Sequence, residues 1–115
     1  MKKLLSAIIM LAVVMAVNAA PLSANSLTFH HGNNNTSKKC YAQTEQTASD
    51  SIGALITWQL TNDNTVYYGS TVNSTGATAT SYSKKLKGKS GKSYGYYYHN
   101  GNQVWKSTAW YSFSF

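Results

Sequence analysis

The sequence contains no arginine, one cysteine, one proline and three acidic residues in 115 positions. Each shortage excludes something. Arginine supplies the bidentate fork that reads phosphate and base edges, so its absence counts against nucleic acid as a partner. A lone cysteine, Cys40, cannot build an intrachain disulfide framework. The acids are Glu45, Asp50 and Asp63. Hydrolysis by paired carboxylates would need two of them held about 5–10 Å apart, and Asp63, within Asn62-Asp63-Asn64, reads as a turn residue. Only 11% of residues are charged, where ordinary globular chains carry about 25%. Groups able to carry chemistry are scarce, and the expectation is a protein that is not an enzyme and needs no cofactor or metal.

What is present is ten lysines, a formal charge of +7, and 13% aromatic residues. Ser, Thr and Asn fill 37 positions. A chain this aromatic and this weakly charged is not a disordered one. Its length allows one small domain.

The N-terminus reads as an export signal. Lys2 and Lys3 precede an apolar run from Leu4 to Val17, and small residues follow at Ala19, Ala20 and Ala24 around Pro21. This is the layout of a secretory signal peptide, cut after Ala19 or after Ala24. The run is short for a bilayer span, which takes about 20 residues. The expectation is therefore a signal over residues 1–24, one domain over residues 25–115, no transmembrane segment in the mature protein, and secretion. In that compartment Cys40 has three readings: a buried hydrophobe, an intermolecular disulfide, or a reactive thiol flanked by Lys38 and Lys39.

Residues 25–115 alternate with a period of two, broken by Asn, Gly and Ser clusters, which is a strand pattern. Strands are expected at Ser26–His30, Lys39–Thr47, Ile52–Leu60, Thr65–Val72, Ala77–Leu86, Ser93–His99 and Gln103–Phe113, with a polar loop at Gly32–Ser37. A helix competes only over Ala42–Ser51, where the threonines weaken it. The third strand places Ile52, Ala54, Ile56, Trp58 and Leu60 on one face. Asn100-Gly101 predicts a type I′ hairpin turn. A two-residue loop there pairs His99 with Asn102, Tyr98 with Gln103, Tyr97 with Val104 and Tyr96 with Trp105. Residues opposite one another share a face, so Tyr94, Tyr96, Tyr98, Trp105, Ala109, Tyr111 and Phe113 form the expected core. Tyr97 and Trp110 then point outward, and a bulge in the last strand would turn Trp110 inward.

The succession Trp58, Tyr67-Tyr68, Tyr82 to Gly88, Tyr94 resembles a fibronectin type III or immunoglobulin-like domain. The resemblance spans residues 52–113 and implies an all-β antiparallel sandwich of about seven strands, with Tyr94 as its tyrosine corner. The link from Leu60 to Thr65 is shorter than those domains carry. The resemblance bears on fold and not on function.

Gly88-Lys-Ser and Gly91-Lys-Ser look like pieces of a phosphate-binding loop, but the required first glycine falls on Ser83 or Leu86 and no helix follows. His30 and His31 are neighbours on a strand and face opposite ways, which hinders joint metal binding. The stronger signal is Lys84, Lys85, Lys87, Lys89 and Lys92, five charges in nine residues. They fit either a solvated loop or a patch for an anionic cell-wall polymer, a membrane surface or a glycan. Tyr68, Tyr97 and Trp110 are the candidate exposed aromatics, with His99, Asn100 and Asn102 as nearby polar groups. The expected function is binding to such a surface. The alternative is an exported antimicrobial protein, similar to the lactococcin 972 type of bacteriocin in size and composition only.

Overall fold

The computed structural model describes residues 25–115. The expected signal peptide and both cleavage positions lie outside the described residues. Among the described residues there are nine strands: β1 (Leu27–Asn34), β2 (Lys39–Gln46), β3 (Ile52–Leu60), β4 (Tyr67–Tyr68), β5 (Val72–Ser74), β6 (Thr78–Tyr82), β7 (Ser90–His99), β8 (Asn102–Lys106) and β9 (Tyr111–Ser114). There is no helix among the described residues, and Ala42–Gln46 continues β2. The protein is all-β, and its strands pair antiparallel in two sheets. One has the order β1-β2-β6. The other runs β4-β3-β7-β8, with β5 also on β3 and β9 also on β7.

Local chemistry accounts for the boundaries. The β1–β2 ladder runs on to Asn34 opposite Lys39, so the expected polar loop shrinks to a tight turn. The Asn34 side-chain oxygen accepts the backbone N–H groups of Thr36 and Ser37, each at 3.0 Å. That local capping is what asparagine does well in turns. At the other hairpin, Asn100 and Gly101 have φ of 51° and 82°, the two positive angles a type I′ turn requires. Two expected strands are each interrupted. Thr65–Val72 divides into β4 and β5, and Gln103–Phe113 into β8 and β9, with a bend at Thr108 and Ala109 between them.

The core draws on both sheets. Cys40 and Ala42 come from β2, Ala54, Ile56 and Trp58 from β3, Tyr97 from β7 and Phe113 from β9, and Leu86 is supplied by the β6–β7 loop. The inward face of β3 is the expected one, with Leu60 packing at its margin.

The face of β7 is the reverse of the expected one. Ala54 lies opposite Tyr97, Ile56 opposite Gly95 and Trp58 opposite Ser93. Since β3 turns its Ala54–Trp58 side to the core, Tyr97 must follow, and it is 0% exposed. Gly95, its neighbour on that face, makes room for it: a Cβ placed on Gly95 would lie 2.5 Å from the Tyr97 hydroxyl. Tyr94, Tyr96 and Tyr98 accordingly point away from the core. The hairpin keeps the derived register for His99–Asn102 and Tyr98–Gln103, then a bulge shifts it so that Tyr97 faces Trp105 and Tyr96 faces Lys106. Val104 is the extra residue. Trp105 is thereby 39% exposed at the rim, stacked on Phe29 at 5.3 Å. Tyr111 and Ala109, also expected inside, are exposed, whereas Phe113 is buried. Trp110 stays outward despite the bulge, because β8 stops at Lys106 before the alternation reaches it.

Candidate functional site

The five lysines of residues 84–92 are all exposed. Leu86 explains why. It is 1% exposed and anchors the loop in the core, and the Lys89 N–H donates to the Leu86 carbonyl at 3.0 Å. The residues around this anchor are left in solvent. The loop is also tied to the β1–β2 turn and to the start of β2. The Leu86 N–H donates to the Lys38 carbonyl at 2.8 Å, and the Ser83 N–H to the Cys40 carbonyl at 2.9 Å. Lys38 and Lys39 therefore join Lys84, Lys85, Lys87 and Lys89 at one end of the molecule. Lys92 lies one strand position beyond Gly91, opposite Gln59 near the same end of β3. Seven of the eight lysines among the described residues thus share one end, and Lys106, opposite Tyr96, stands apart.

The acids do not neutralise this end. Among the described residues Glu45 and Asp50 each meet a histidine, His30 and His99, at 2.8 Å, and no lysine pairs with a carboxylate. Glu45 sits toward the far end of β2 and Asp50 in the β2–β3 turn, so two of the three acids occupy the opposite end. Asp63 is the acid nearest the lysines. The Thr65 N–H and the Tyr67 hydroxyl both donate to it at 2.9 Å, and they hold its carboxyl below the ordinary carboxylate range. Three lysines lie over aromatic rings: Lys92 is 5.0 Å from Trp110, Lys84 5.6 Å from Tyr67 and Lys39 5.9 Å from Tyr82. Such contacts hold an ammonium in place and leave its charge available to a ligand.

The three candidate aromatics do not converge. Tyr68 is 65% exposed at the β4 edge and Trp110 is 39% exposed, but Tyr97 is in the core. The β3–β7 register turns Tyr97 inward, so, contrary to the expectation, it is not a binding residue. The expected polar neighbours are engaged elsewhere, His99 on Asp50 and Asn100 in the turn. Sequence reasoning missed the tyrosines on the other side of β7. The signal was present in the pairing of β7 with β3, whose core side was already legible.

Two further groups have the look of chemistry. His31 Nε2 is 2.8 Å from the Ser93 hydroxyl, and Nδ1 is 3.2 Å from the Ser107 hydroxyl. This is a base within reach of a hydroxyl nucleophile, but Ser93 is 0% exposed, so no substrate carbonyl can approach it. A serine stands where a carboxylate would orient the ring. Cys40 is likewise 0% exposed, and burial pushes its thiol up to about 11. It is a buried hydrophobe rather than a reactive thiol, and a disulfide to another chain would require the sheet to open. Among the described residues no three His, Cys, Asp or Glu side chains cluster for a metal.

Comparisons of the chain with protein-family models, with curated proteins and with solved structures find no match.

Proposed function

We propose that this chain is a small exported binding protein, an immunoglobulin- or fibronectin-III-like sandwich, whose lysine-rich end engages an anionic polymer on a cell surface. The observation that carries the reading is the gathering of Lys38 and Lys39 with the loop lysines at an end where no lysine has a carboxylate partner among the described residues. Self-repulsion among unpaired cations costs stability, and an anionic partner relieves it. Solubility alone would be served by lysines spread over the surface.

The test is retention of the mature protein on anionic wall polymer and on anionic vesicles across salt concentration. Retention should fall steeply as salt rises and the Debye length shortens. Changing Lys84, Lys85, Lys87 and Lys89 to Gln should abolish most of it. Retention that ignores both salt and these substitutions removes the reading. The exposed aromatics beside the cationic end support a second reading, an exported protein that antagonises other cells. Growth inhibition by purified protein separates that from adhesion.

A further inference from the structure

The outward side of the six-stranded sheet carries a row of aromatic rings that no other described segment covers. Tyr94, Tyr96 and Tyr98 alternate along β7 on the side away from Tyr97. Tyr68, opposite Thr57, shares that side because Thr57 pairs with Tyr94. Trp110 extends the row, with its ring 5.2 Å from that of Tyr94, and the Tyr94 and Tyr96 rings are 5.4 Å apart. The three β7 tyrosines are half-buried, while Tyr68 and Trp110 stand further out. From Lys92 to Tyr98 the row is about 20 Å long at the ordinary strand rise.

Charge on this face has one sign. Lys92 lies over Trp110 and Lys106 is opposite Tyr96, and the outward residues of β3, β4, β7 and β8 include no Asp or Glu. A shallow trough of about 680 Å³, lined by Tyr94, Val104, Lys106 and Thr108 among others, borders the row. Lys92 connects the face to the cationic end.

We infer that this tyrosine face is a platform for an extended acidic polysaccharide, laid along β7 with its carboxylates or sulfates directed to Lys92, Lys106 and the cationic end. The inference rests on the reading of that end as an anion site and adds the chemistry of the ligand. A sugar ring has one side made of C–H bonds, which suits the negative face of an aromatic ring, and hydroxyls at its rim, which suit phenol groups. Tyrosine offers both at little cost in rotamer entropy. An open face accepts a chain lying flat, whereas a free monosaccharide needs a concave site. A lipid surface fits less well. Interfacial binding inserts aliphatic and aromatic side chains below the headgroups, and here four of the five outward rings are tyrosines, each with a polar hydroxyl, while Leu55 is half-buried.

The experiment titrates the mature protein with polygalacturonate, with a neutral cello-oligosaccharide, with inorganic polyphosphate and with phosphatidylglycerol vesicles. Two variants accompany it: Tyr96→Ala with Trp110→Ala on the face, and the four-lysine change at the end. The face variant should bind polygalacturonate about tenfold more weakly, as for loss of aromatic anchors, with polyphosphate binding and salt dependence unchanged. The four-lysine variant should lose polyphosphate and flatten the salt dependence. Unaltered polygalacturonate binding by the face variant overturns the platform and leaves the cationic-end reading standing. Failure of polyphosphate and polygalacturonate alike removes the cationic-end reading. In that case, cello-oligosaccharide binding that is lost in the face variant assigns the face to a neutral glycan and overturns the acidic polysaccharide, and its absence overturns the platform altogether. Loss of vesicle binding alone in the face variant assigns the face to lipid, and a dimer of the free protein that the face variant breaks assigns it to a second copy. Either result overturns the polysaccharide. Circular dichroism of both variants establishes that they fold.

Discussion

The hydroxyl of Tyr97, in the six-stranded sheet, donates a 3.0 Å hydrogen bond to the carbonyl oxygen of His30, in the three-stranded sheet. The ring packs 5.1 Å from Phe29 and 5.3 Å from Trp105. Tyr97 is therefore a strut between the sheets in a chain without an intrachain disulfide.

Two substitutions separate the strut's parts. Tyr97→Phe keeps the ring and loses one hydrogen bond, costing about 1 kcal/mol. Tyr97→Ala leaves a cavity and should cost about 3–5 kcal/mol, a large share of the roughly 5–15 kcal/mol that holds a domain folded. Urea denaturation checks both. Equal stability of the Phe and Ala variants would mean that the ring does not fill the core.

His31 predicts a pH dependence. The Gly95 N–H donates to the Ser107 oxygen at 2.8 Å, which frees the Ser107 hydroxyl proton for His31 Nδ1. His31 Nε2–H then donates to Ser93. The neutral ring is satisfied at both nitrogens, and burial lowers its pKa below the ordinary 6.5. The unfolded chain thus binds the proton at higher pH than the folded one. Stability from this residue is fully present above about pH 6.5 and declines as pH falls toward the folded pKa. Denaturation midpoints measured from pH 7.5 to 5 should fall with acidity, and His31→Gln should flatten that part of the curve. An unchanged slope in the variant would mean that His31 is not the source of the dependence.

How much of this was legible in the sequence differs from strand to strand. Ile52–Leu60 was readable to the residue because one side is wholly apolar, from Ile52 through Ala54, Ile56 and Trp58 to Leu60, while the other mixes Gly53 and Leu55 with Thr57 and Gln59. In β7 every second position is aromatic on one side, and Tyr97 interrupts the other, so periodicity cannot choose the buried face. The β3–β7 register makes that choice, through contacts some forty residues apart in sequence. The bulge at Val104 has no local mark either, since no glycine or proline signals it. Of the site, the loop lysines were visible as a run. Lys38 and Lys39 were not, because only the folded chain brings the first turn beside Leu86.

Cys40 should be silent in the native protein. It is fully buried, and burial raises its thiol to about 11, so little thiolate is present at neutral pH and none can be reached. An aromatic disulfide reagent should detect no thiol in native buffer and one per chain in denaturant. Non-reducing electrophoresis of protein kept folded should show no covalent dimer. Rapid native labelling would mean that β2 opens readily, and would return the intermolecular disulfide to consideration.

Lys38 and Lys39 distinguish a local charged end from net charge. If position governs, Lys38→Gln with Lys39→Gln should lower the salt dependence of retention on inorganic polyphosphate as much as Lys85→Gln with Lys87→Gln, although the two pairs are over forty residues apart in sequence. Lys106→Gln, on the edge strand β8 opposite Tyr96, should change it by less than half the effect of either pair. Attraction between exposed charges fades beyond a Debye length of about 8 Å at physiological salt, so only lysines at the contact sense the polymer. If Lys106 instead counts as much as any lysine at the end, the polymer responds to the charge of the whole molecule and the cationic end has no special standing.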